Sequence, residues 1–188
     1  MAGITFTETG LKDLRRIHPF IAGDERGSLV KTFEKQQYAK CGLAFETSEI
    51  MFSTSRKGVL RGLHFQTGAP QAKIVTVIKG EVWDVAVDLR KHSDTCGQWR
   101  GFYLSEENRE GLYIPEGFAH GFLALRDDTV LMYQCKNVYL KENDTGIIWN
   151  DEKLGIQWPA DQVDQVIISQ RDQGFCGFSE FMDKYGGL

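Results

Sequence analysis

The feature that most constrains this chain is a series of short β-branched runs separated by turn residues. In residues 72–90 two such runs flank Lys79-Gly80, the arrangement expected of a β-hairpin. Residues 111–140 repeat the pattern, with turn residues at 115–117 and 126–128. Many short strands at this spacing predict a mainly β protein that folds as an antiparallel two-sheet sandwich or barrel. Side chains that face inward would line a cavity between the sheets.

Helical signals are few. The sequence FEKQQYAKCGLA, from Phe33, predicts a short helix that ends near Gly42, and GFSEFMDKY, near the end of the sequence, predicts a second. With 188 residues and no linker or repeat, we expect one domain that spans residues 1–188. The predicted barrel therefore carries only short flanking helices.

Composition narrows the classes of function. The net charge is -4, so nothing favours nucleic acid or an anionic membrane as the partner. The four cysteines are widely spaced without a Cys-x-x-Cys pair, which is typical of free thiols in a reducing compartment. The start of the sequence has no apolar run of the kind found in secretory signals. We therefore expect a cytoplasmic protein.

The segment GVLRGLHFQ, residues 58–66, places Arg61 and His64 among apolar residues. In a regular strand, residues three apart face opposite sides. If both serve one cavity, Gly62 must lie in a bulge. Because a buried charge is costly unless it is paired or bound, the polar residues of the predicted strands mark a candidate site. They are Arg61, His64, Lys73, Asp84, Asp88, His120 and Tyr133, of which we interpret Asp84 and Asp88 as structural hydrogen-bond partners.

A metal site is the first alternative. Barrels that bind a metal through His-x-His need a second histidine where this chain has Gln66, and the place for a following acidic ligand holds Lys73. His120 alone matches a later ligand. Two histidines beside an ammonium group make a poor site for a divalent cation. We therefore expect no metal and no other cofactor.

A cavity lined by His, Lys, Arg and Tyr suits acid–base chemistry. Arginine and lysine bind phosphate or stabilise a developing oxyanion. A neutral histidine accepts a proton and a tyrosine donates one. Together these residue types predict proton abstraction next to a carbonyl of a phosphorylated substrate.

Several longer motifs follow one another along the chain. They are RGLHFQ, KGEVWDVAVDLR, PEGFAHGF and IIWNDEKLGIQWP, with DERG before them and IISQRD after them. Together, from about residue 24 to residue 181, they resemble the dTDP-4-dehydrorhamnose 3,5-epimerase family. The resemblance implies a jelly-roll, cupin-like fold, a homodimer and no metal. It also implies a nucleoside-diphosphate 4-keto-6-deoxy sugar as substrate.

The resemblance also implies roles for individual residues. His64 corresponds to the base of the family and Asp172 to the carboxylate partner of that base. Tyr133 corresponds to the acid, and Lys73 to a lysine near the keto oxygen. The residues that we assign to substrate binding on the diphosphate, sugar and nucleotide sides are Arg61, His120, Gln66 and Arg26, the last of which is expected to reach across the dimer.

The chain departs from the family pattern on the nucleotide side. Lys31 stands where the family has an acidic residue after DERG. Glu49-Ile50-Met51 stand where the family usually has Gln-Asp-Asn, and Val138-Tyr139 stand where its tyrosine motif ends in a pair of tyrosines. An acidic acceptor for a pyrimidine N–H and an aromatic surface are thereby lost, which should weaken thymine binding. Our hypothesis is that the base, the sugar or both differ from the commonest dTDP substrate. Glu49, Met51, Lys31 and Tyr139 are accordingly candidate substrate-binding residues.

Two other functions stay open at this point. A metal-dependent cupin enzyme, such as an oxygenase or a sugar isomerase, would hold a stoichiometric metal. A non-catalytic sugar-nucleotide-binding cupin needs the cavity but exchanges no substrate hydrogen in heavy water. For the epimerase, the sequence leaves open whether C3, C5 or both carbons are inverted.

Overall fold

A computed structural model describes residues 3–188 and contains two antiparallel sheets that face each other. The first sheet has six strands, and the strand at one edge, β5, runs past the candidate site. In spatial order the strands are β1 (Thr5–Glu8), β2 (Arg15–His18), β10 (Gly111–Ile114), β7 (Lys73–Lys79), β12 (Thr129–Cys135) and β5 (Glu49–Ser55).

The second sheet has five strands, and a separate hairpin lies outside both sheets. This arrangement confirms the predicted mainly β, two-sheet jelly roll. The strands of the second sheet are β13 (Asp144–Gly146), β6 (Leu60–Gln66), β11 (Phe118–Ala124), β8 (Glu81–Asp88) and β9 (Trp99–Ser105), and those of the hairpin are β3 (Phe20–Asp24) and β4 (Gly27–Lys31).

The hairpin predicted around Lys79-Gly80 is wrong. Strand β7 pairs with β10 and β12, whereas β8 pairs with β11 and β9, so the chain crosses from one sheet to the other at Gly80. The strands on either side of residues 115–117 and 126–128 also lie in different sheets. A turn residue marks where a strand ends, but it carries no information about which strand will be its neighbour.

Both predicted helices are present. They are α1 (Lys35–Lys40) and α3 (Phe178–Tyr185), and between them in the sequence lies a short helix, α2 (Gln170–Gln173), that the sequence analysis missed. The side chain of Ser169 accepts a hydrogen bond from the N–H of Asp172 and so caps α2. None of the described helices has the length and apolar character needed to cross a membrane.

Apolar side chains fill the space between the sheets and cover both outer faces. Between the sheets, Val75 and Leu131 of the first sheet pack with Phe122 of the second. Tyr38 of α1 covers the outer face of the first sheet, and Phe181 of α3 covers that of the second. Each fully buried side chain of this size contributes about 1.5–3 kcal/mol. The two sheets are therefore held together by a packed apolar core.

Candidate active site

Arg61 and His64 lie on one face of β6 because the strand carries a bulge. His64 pairs with His120 and Arg61 pairs with Phe122, so three steps along β6 match two steps along β11. Residues two apart on β11 face the same side, and their partners on β6 therefore do so too. The bulge predicted from the spacing of the two polar residues is confirmed.

Only glycine fits at the centre of this bulge. Gly62 has a φ of 119°, and a Cβ atom there would lie 2.5 Å from the Cα atom of Gly121. The N–H of Gly62 donates a hydrogen bond of 3.0 Å to Oδ2 of Asp172. The bulge thus fixes the position of the carboxylate as well as that of the two side chains.

Asp172 is brought to His64 from a distant part of the chain. A parallel bridge between Val59 and Ile167 holds the segment before α2 against β6. Oδ2 of Asp172 lies 3.0 Å from Nε2 of His64, a charge-pair distance at an angle too oblique for a hydrogen bond, and Nε2 has no other partner among residues 3–188. The side chain of His64 is 32% exposed and that of Asp172 is 6% exposed. The second ring nitrogen of His64 is therefore left to accept a proton.

Asp172 is charged at neutral pH. Burial alone would raise its pKa, but the contacts with His64 and with the N–H of Gly62 outweigh burial and lower the pKa to about 2. A fixed carboxylate of this kind orients an imidazole and stabilises the imidazolium that forms when the ring takes a proton. His64 is thereby equipped to act as a base.

Phe175 packs against the ring of His64. The two rings meet edge to face, with centroids 5.6 Å apart and planes at 84°. The contact is possible because Gly146, which pairs with His64, has no side chain: a Cβ atom there would lie 2.4 Å from the Phe175 ring. No local pattern around Phe175 predicts this role, since it depends on the pairing of β13 with β6.

Tyr133 reaches the same region from the opposite sheet. Its ring meets that of His120 edge to face, with centroids 6.1 Å apart. Its hydroxyl group lies 3.3 Å from Oγ of Ser53, a long hydrogen bond that either hydroxyl can donate. Burial raises the pKa of Tyr133 well above its ordinary value. The phenol is therefore neutral and can donate a proton.

His120 is held by a second carboxylate. Its Nε2 lies 3.0 and 2.9 Å from the two oxygens of Asp84, and both side chains are almost fully buried. Asp88, two alternations further along β8, accepts hydrogen bonds from Arg90, Ser93 and Thr95. Both aspartates are thus hydrogen-bond partners of neighbouring side chains, as the sequence analysis predicted.

Lys73 and Arg61 bring positive charge to this region. Lys73 begins β7 beside Cys135 of β12, and burial lowers the pKa of its ammonium group. Nε of Arg61 donates to Oγ of Ser55 at 3.2 Å, which places the guanidinium at the edge strand β5. A buried ammonium group can stabilise negative charge on a ligand oxygen.

Gln66 is buried and its amide is engaged by loop backbone. Nε2 donates to the carbonyl oxygens of Ala69 and Val138 at 3.0 and 3.3 Å, and Oε1 accepts from the N–H of Leu140. These contacts make Gln66 a support for the loop that carries Tyr139. A direct contact of Gln66 with substrate stays a prediction.

The nucleotide-side candidates are spread over two regions. Arg26 and Lys31 lie on the hairpin of β3 and β4, where they pair with Asp24 and Glu34, and the structure does not bring them next to His64 within one chain. The remaining three are nearer to the site. Glu49 and Met51 lie on β5, with Met51 opposite Tyr133, and Tyr139 is in the loop after β12.

Asp144 and Arg171 join Tyr139 and were missed by the sequence analysis. Oδ2 of Asp144 accepts from the hydroxyl of Tyr139 at 2.9 Å and from the guanidinium of Arg171 at 2.6 Å. The guanidinium of Arg171 also lies over the ring of Phe175, 5.2 Å from its centroid. Arg171 directly precedes Asp172 in the sequence, and its position next to a predicted site residue is a signal that could have identified it.

A surface groove of about 680 Å³ lies elsewhere, between residues 8–15 and 90–95, and none of the predicted residues lines it. Its arginines are already paired, Arg15 with Glu8 and Arg90 with Asp13. Groups that are already paired offer little to a ligand. We therefore place the candidate active site in the barrel interior and not in this groove.

The arrangement in the barrel can perform acid–base chemistry. His64 with Asp172 lies on the side of the second sheet, and Tyr133 lies on the side of the first. A ligand held between the sheets would meet a base on one face and an acid on the other. Among residues 3–188, no three or more His, Cys, Asp or Glu side chains are grouped as a metal site.

Comparisons with known proteins point to one family. The family model described as dTDP-4-dehydrorhamnose 3,5-epimerase matches residues 8–180. The dTDP-4-dehydrorhamnose 3,5-epimerase of Methanothermobacter thermautotrophicus is 49% identical over 93% of this chain and 95% of its own length. The crystal structure of the Elizabethkingia anophelis enzyme of the same name has a TM-score of 0.89 and 39% identity over 95% of this chain and 98% of that one.

A further solved structure is a complex with a nucleotide sugar. It is a dTDP-6-deoxy-D-glucose-3,5-epimerase from Legionella pneumophila in complex with dTDP-4-keto-L-rhamnose. Its TM-score is 0.91, with 38% identity over 97% of this chain and 96% of that one. These matches extend over nearly the whole chain and confirm the resemblance seen in the motifs. The chain belongs to the dTDP-4-dehydrorhamnose 3,5-epimerase family.

Proposed function

We propose that this protein inverts C3 and C5 of a nucleoside-diphosphate 4-keto-6-deoxy sugar, the reaction for which its relatives are named. One observation carries the proposal: the His64–Asp172 pair and Tyr133 approach the barrel interior from opposite sheets. A single group would return a proton to the face from which it took it. Inversion needs two groups that flank the sugar ring.

The chemistry follows from the C4 ketone. The hydrogens on C3 and C5 are both α to this carbonyl group, so their removal gives an enolate whose charge lies on the C4 oxygen. In our proposal His64 takes the proton while Asp172 stabilises the imidazolium. Lys73 stabilises the enolate oxygen, a type of contact worth roughly 10²–10³ in rate. Tyr133 then delivers a proton to the opposite face, and such acid–base catalysis contributes about 10²–10⁴-fold.

Binding uses the charged groups around this centre. Arg61 and His120 are assigned to the diphosphate or sugar, with charge-assisted hydrogen bonds from the guanidinium. Arg26 is assigned to the nucleotide of a second copy in a homodimer, which fits the 83% exposure of its side chain in a single chain. The free thiols of all four cysteines fit a protein that acts in the cytoplasm.

The nucleotide is the part of the substrate on which the chain departs from the family pattern. Lys31 stands where the family has an acidic residue, and Ile50 and Met51 stand where it usually has Asp and Asn, so thymine would lose hydrogen-bond acceptors. We propose that the base or the sugar differs from the commonest dTDP substrate. Binding of dTDP, GDP, CDP and UDP, measured side by side, tests this. A clear preference for dTDP would defeat the hypothesis and leave the family reaction unchanged.

The function itself is tested by hydrogen exchange. The protein is incubated with 4-keto-6-deoxy sugar nucleotides in heavy water, and deuterium at C3 and C5 is followed by NMR. We expect exchange at both carbons in the wild type and at neither in His64→Ala. Tyr133→Phe should spare some exchange and impair inversion, because abstraction survives without delivery from the far face. Equal loss of exchange and inversion would contradict this division of roles.

The same experiment separates the alternatives. A non-catalytic binding protein would bind the sugar nucleotide without any exchange. A metal-dependent enzyme would contain stoichiometric metal by elemental analysis and would lose activity with a chelator. Wild-type exchange that persists in a chelator supports the acid–base mechanism.

A further inference from the structure

Each inversion leaves the site unable to repeat the reaction. This inference rests on the proposed function, in which one proton moves to His64 and another leaves Tyr133. After one turnover His64 is an imidazolium and Tyr133 is a phenolate. Before the second carbon can react, His64 must lose a proton and Tyr133 must regain one. The two groups differ in the side chains that surround them.

His64 can exchange its proton directly because its side chain is 32% exposed. Tyr133 is partly buried and packs against the interior apolar cluster, and its hydroxyl group contacts Ser53. The imidazole that it contacts, that of His120, is bound to the carboxylate of Asp84, and both of these side chains are almost fully buried. On the side of His120, the Tyr133 ring therefore meets a buried histidine–aspartate pair and not water.

Ser53 lies on the other side of the Tyr133 hydroxyl. It belongs to β5, the edge strand of its sheet, and its side chain faces the barrel because it pairs with the core residue Leu131. Ser53 is partly exposed, and its Oγ is 3.3 Å from the phenol oxygen. A serine hydroxyl can donate one proton and accept another at the same time.

We propose that Ser53 returns the proton to Tyr133 between inversions. The Oγ–H bond of Ser53 breaks as its proton forms the O–H bond of the phenol, and Oγ takes a proton from water. The hydroxide that remains is neutralised by the proton that the His64 imidazolium releases. The cycle needs no other reactant. Ser53 acts only through Tyr133 and does not contact the reacting carbons.

The relay makes a distinctive kinetic prediction. The first inversion uses the proton already present on Tyr133, so it does not depend on Ser53. The second inversion on the same sugar, and every later turnover, does depend on it. Loss of Ser53 should therefore release or accumulate sugar that is inverted at one carbon only. A residue that merely supported the fold would slow both inversions alike.

The test uses the full-length protein with Ser53→Ala under single-turnover conditions in heavy water. We expect the first inversion at the wild-type rate and the second slowed by about 10²-fold or more, the range expected for a lost proton-transfer partner. Ser53→Thr, which keeps the hydroxyl group, should restore the second inversion. Thr54→Ala is the matched control, because Thr54 is exposed on the same strand and its side chain points away from the barrel.

The outcomes are distinguishable. Equal slowing of both inversions in Ser53→Ala, or no slowing of either, would overturn the relay while the proposed function stands. Failure of Ser53→Thr to restore the second step would also overturn it, provided that the melting temperature is unchanged. Absence of exchange in the wild-type protein would refute the proposed function and the relay with it.

Discussion

Two histidine–aspartate pairs stand side by side in this barrel and differ in their surroundings. His64 and His120 are cross-strand partners on β6 and β11, and each has a carboxylate about 3 Å from Nε2. The first imidazole is 32% exposed and the second 5%. The same two residue types are thus suited to different purposes: the more exposed pair to proton transfer, and the buried pair to holding neighbouring side chains in place.

The two carboxylates also reach their histidines differently. Asp84 lies on β8, directly beside β11, whereas Asp172 comes from α2, more than a hundred residues from His64 in sequence. Asp84 is therefore part of the sheet, and Asp172 depends on the N–H of Gly62 and on the cap at Ser169. We expect substitutions at the His120–Asp84 pair to act mainly on stability and those at the His64–Asp172 pair on activity.

The largest stability effect is expected for Asp84→Ala. It leaves the imidazole of His120 buried without its partner, and breaking a buried pair in this way costs about 3 kcal/mol. Urea unfolding should show this loss in the free energy of unfolding. If Asp84→Ala unfolds like the wild type, the buried pair does not stabilise the fold and the contrast between the two pairs fails.

Asp172→Asn should have a smaller and pH-dependent effect. A carboxylate whose pKa is lowered from 3.8 to about 2 stabilises the native state above the ordinary value, and this contribution is lost as the pH falls through the lower one. At about 1.4 kcal/mol per pKa unit, the variant should be less stable by about 2 kcal/mol near neutral pH. The difference should close between pH 3.8 and about 2.

Unfolding of both proteins across this pH range measures the difference, and deuterium exchange measures the accompanying loss of activity. The Asp172→Asn substitution keeps the size of the side chain and removes its charge. A change in stability can therefore be attributed to the charge and not to altered packing. A gap in stability that stays constant down to a pH of about 2 would mean that the charge is not what stabilises the pair.

The smallest effect is expected for Lys31→Glu on the hairpin. Lys31 pairs with Glu34 at 3.0 Å on the surface, and such pairs contribute about 0–1 kcal/mol. The fold and the exchange rate should therefore change little. If this position recognises the base, dTDP binding should improve by a few-fold relative to the other nucleotides. No change in nucleotide preference would remove Lys31 from the binding site.

Local sequence signals predicted the fold class and the bulge but not the strand neighbours. The β-branched runs around Lys79-Gly80 are strands as predicted, yet they pair in different sheets, because pairing depends on the whole set of strands. The bulge at Gly62 was predictable because two polar residues at odd spacing could share a face in no other way. The alternation of side chains along a strand depends on adjacent residues, whereas the order of strands in a sheet depends on segments that are far apart in the sequence.

The candidate site divides in the same way. His64 and Arg61 carried their own signal as polar residues in an apolar strand, and Asp172 entered through the family motif. Ser53 and Phe175 carried none, because their contacts arise from the pairing of β5 with β12 and of β13 with β6. Hydroxyl and phenyl groups are common in loops and strands, so only their positions in the structure distinguish them.

The crossing of the chain between sheets has a consequence for how this protein folds. Apart from β8 and β9, successive strands from β5 to β13 lie in opposite sheets, so nearly every pairing closes a long loop. Topologies with many such non-local pairings fold in milliseconds to seconds, far more slowly than helical bundles. His64 on β6 and Tyr133 on β12 lie in different sheets and far apart in the sequence, so their approach to one another depends on several of these long-range pairings at once.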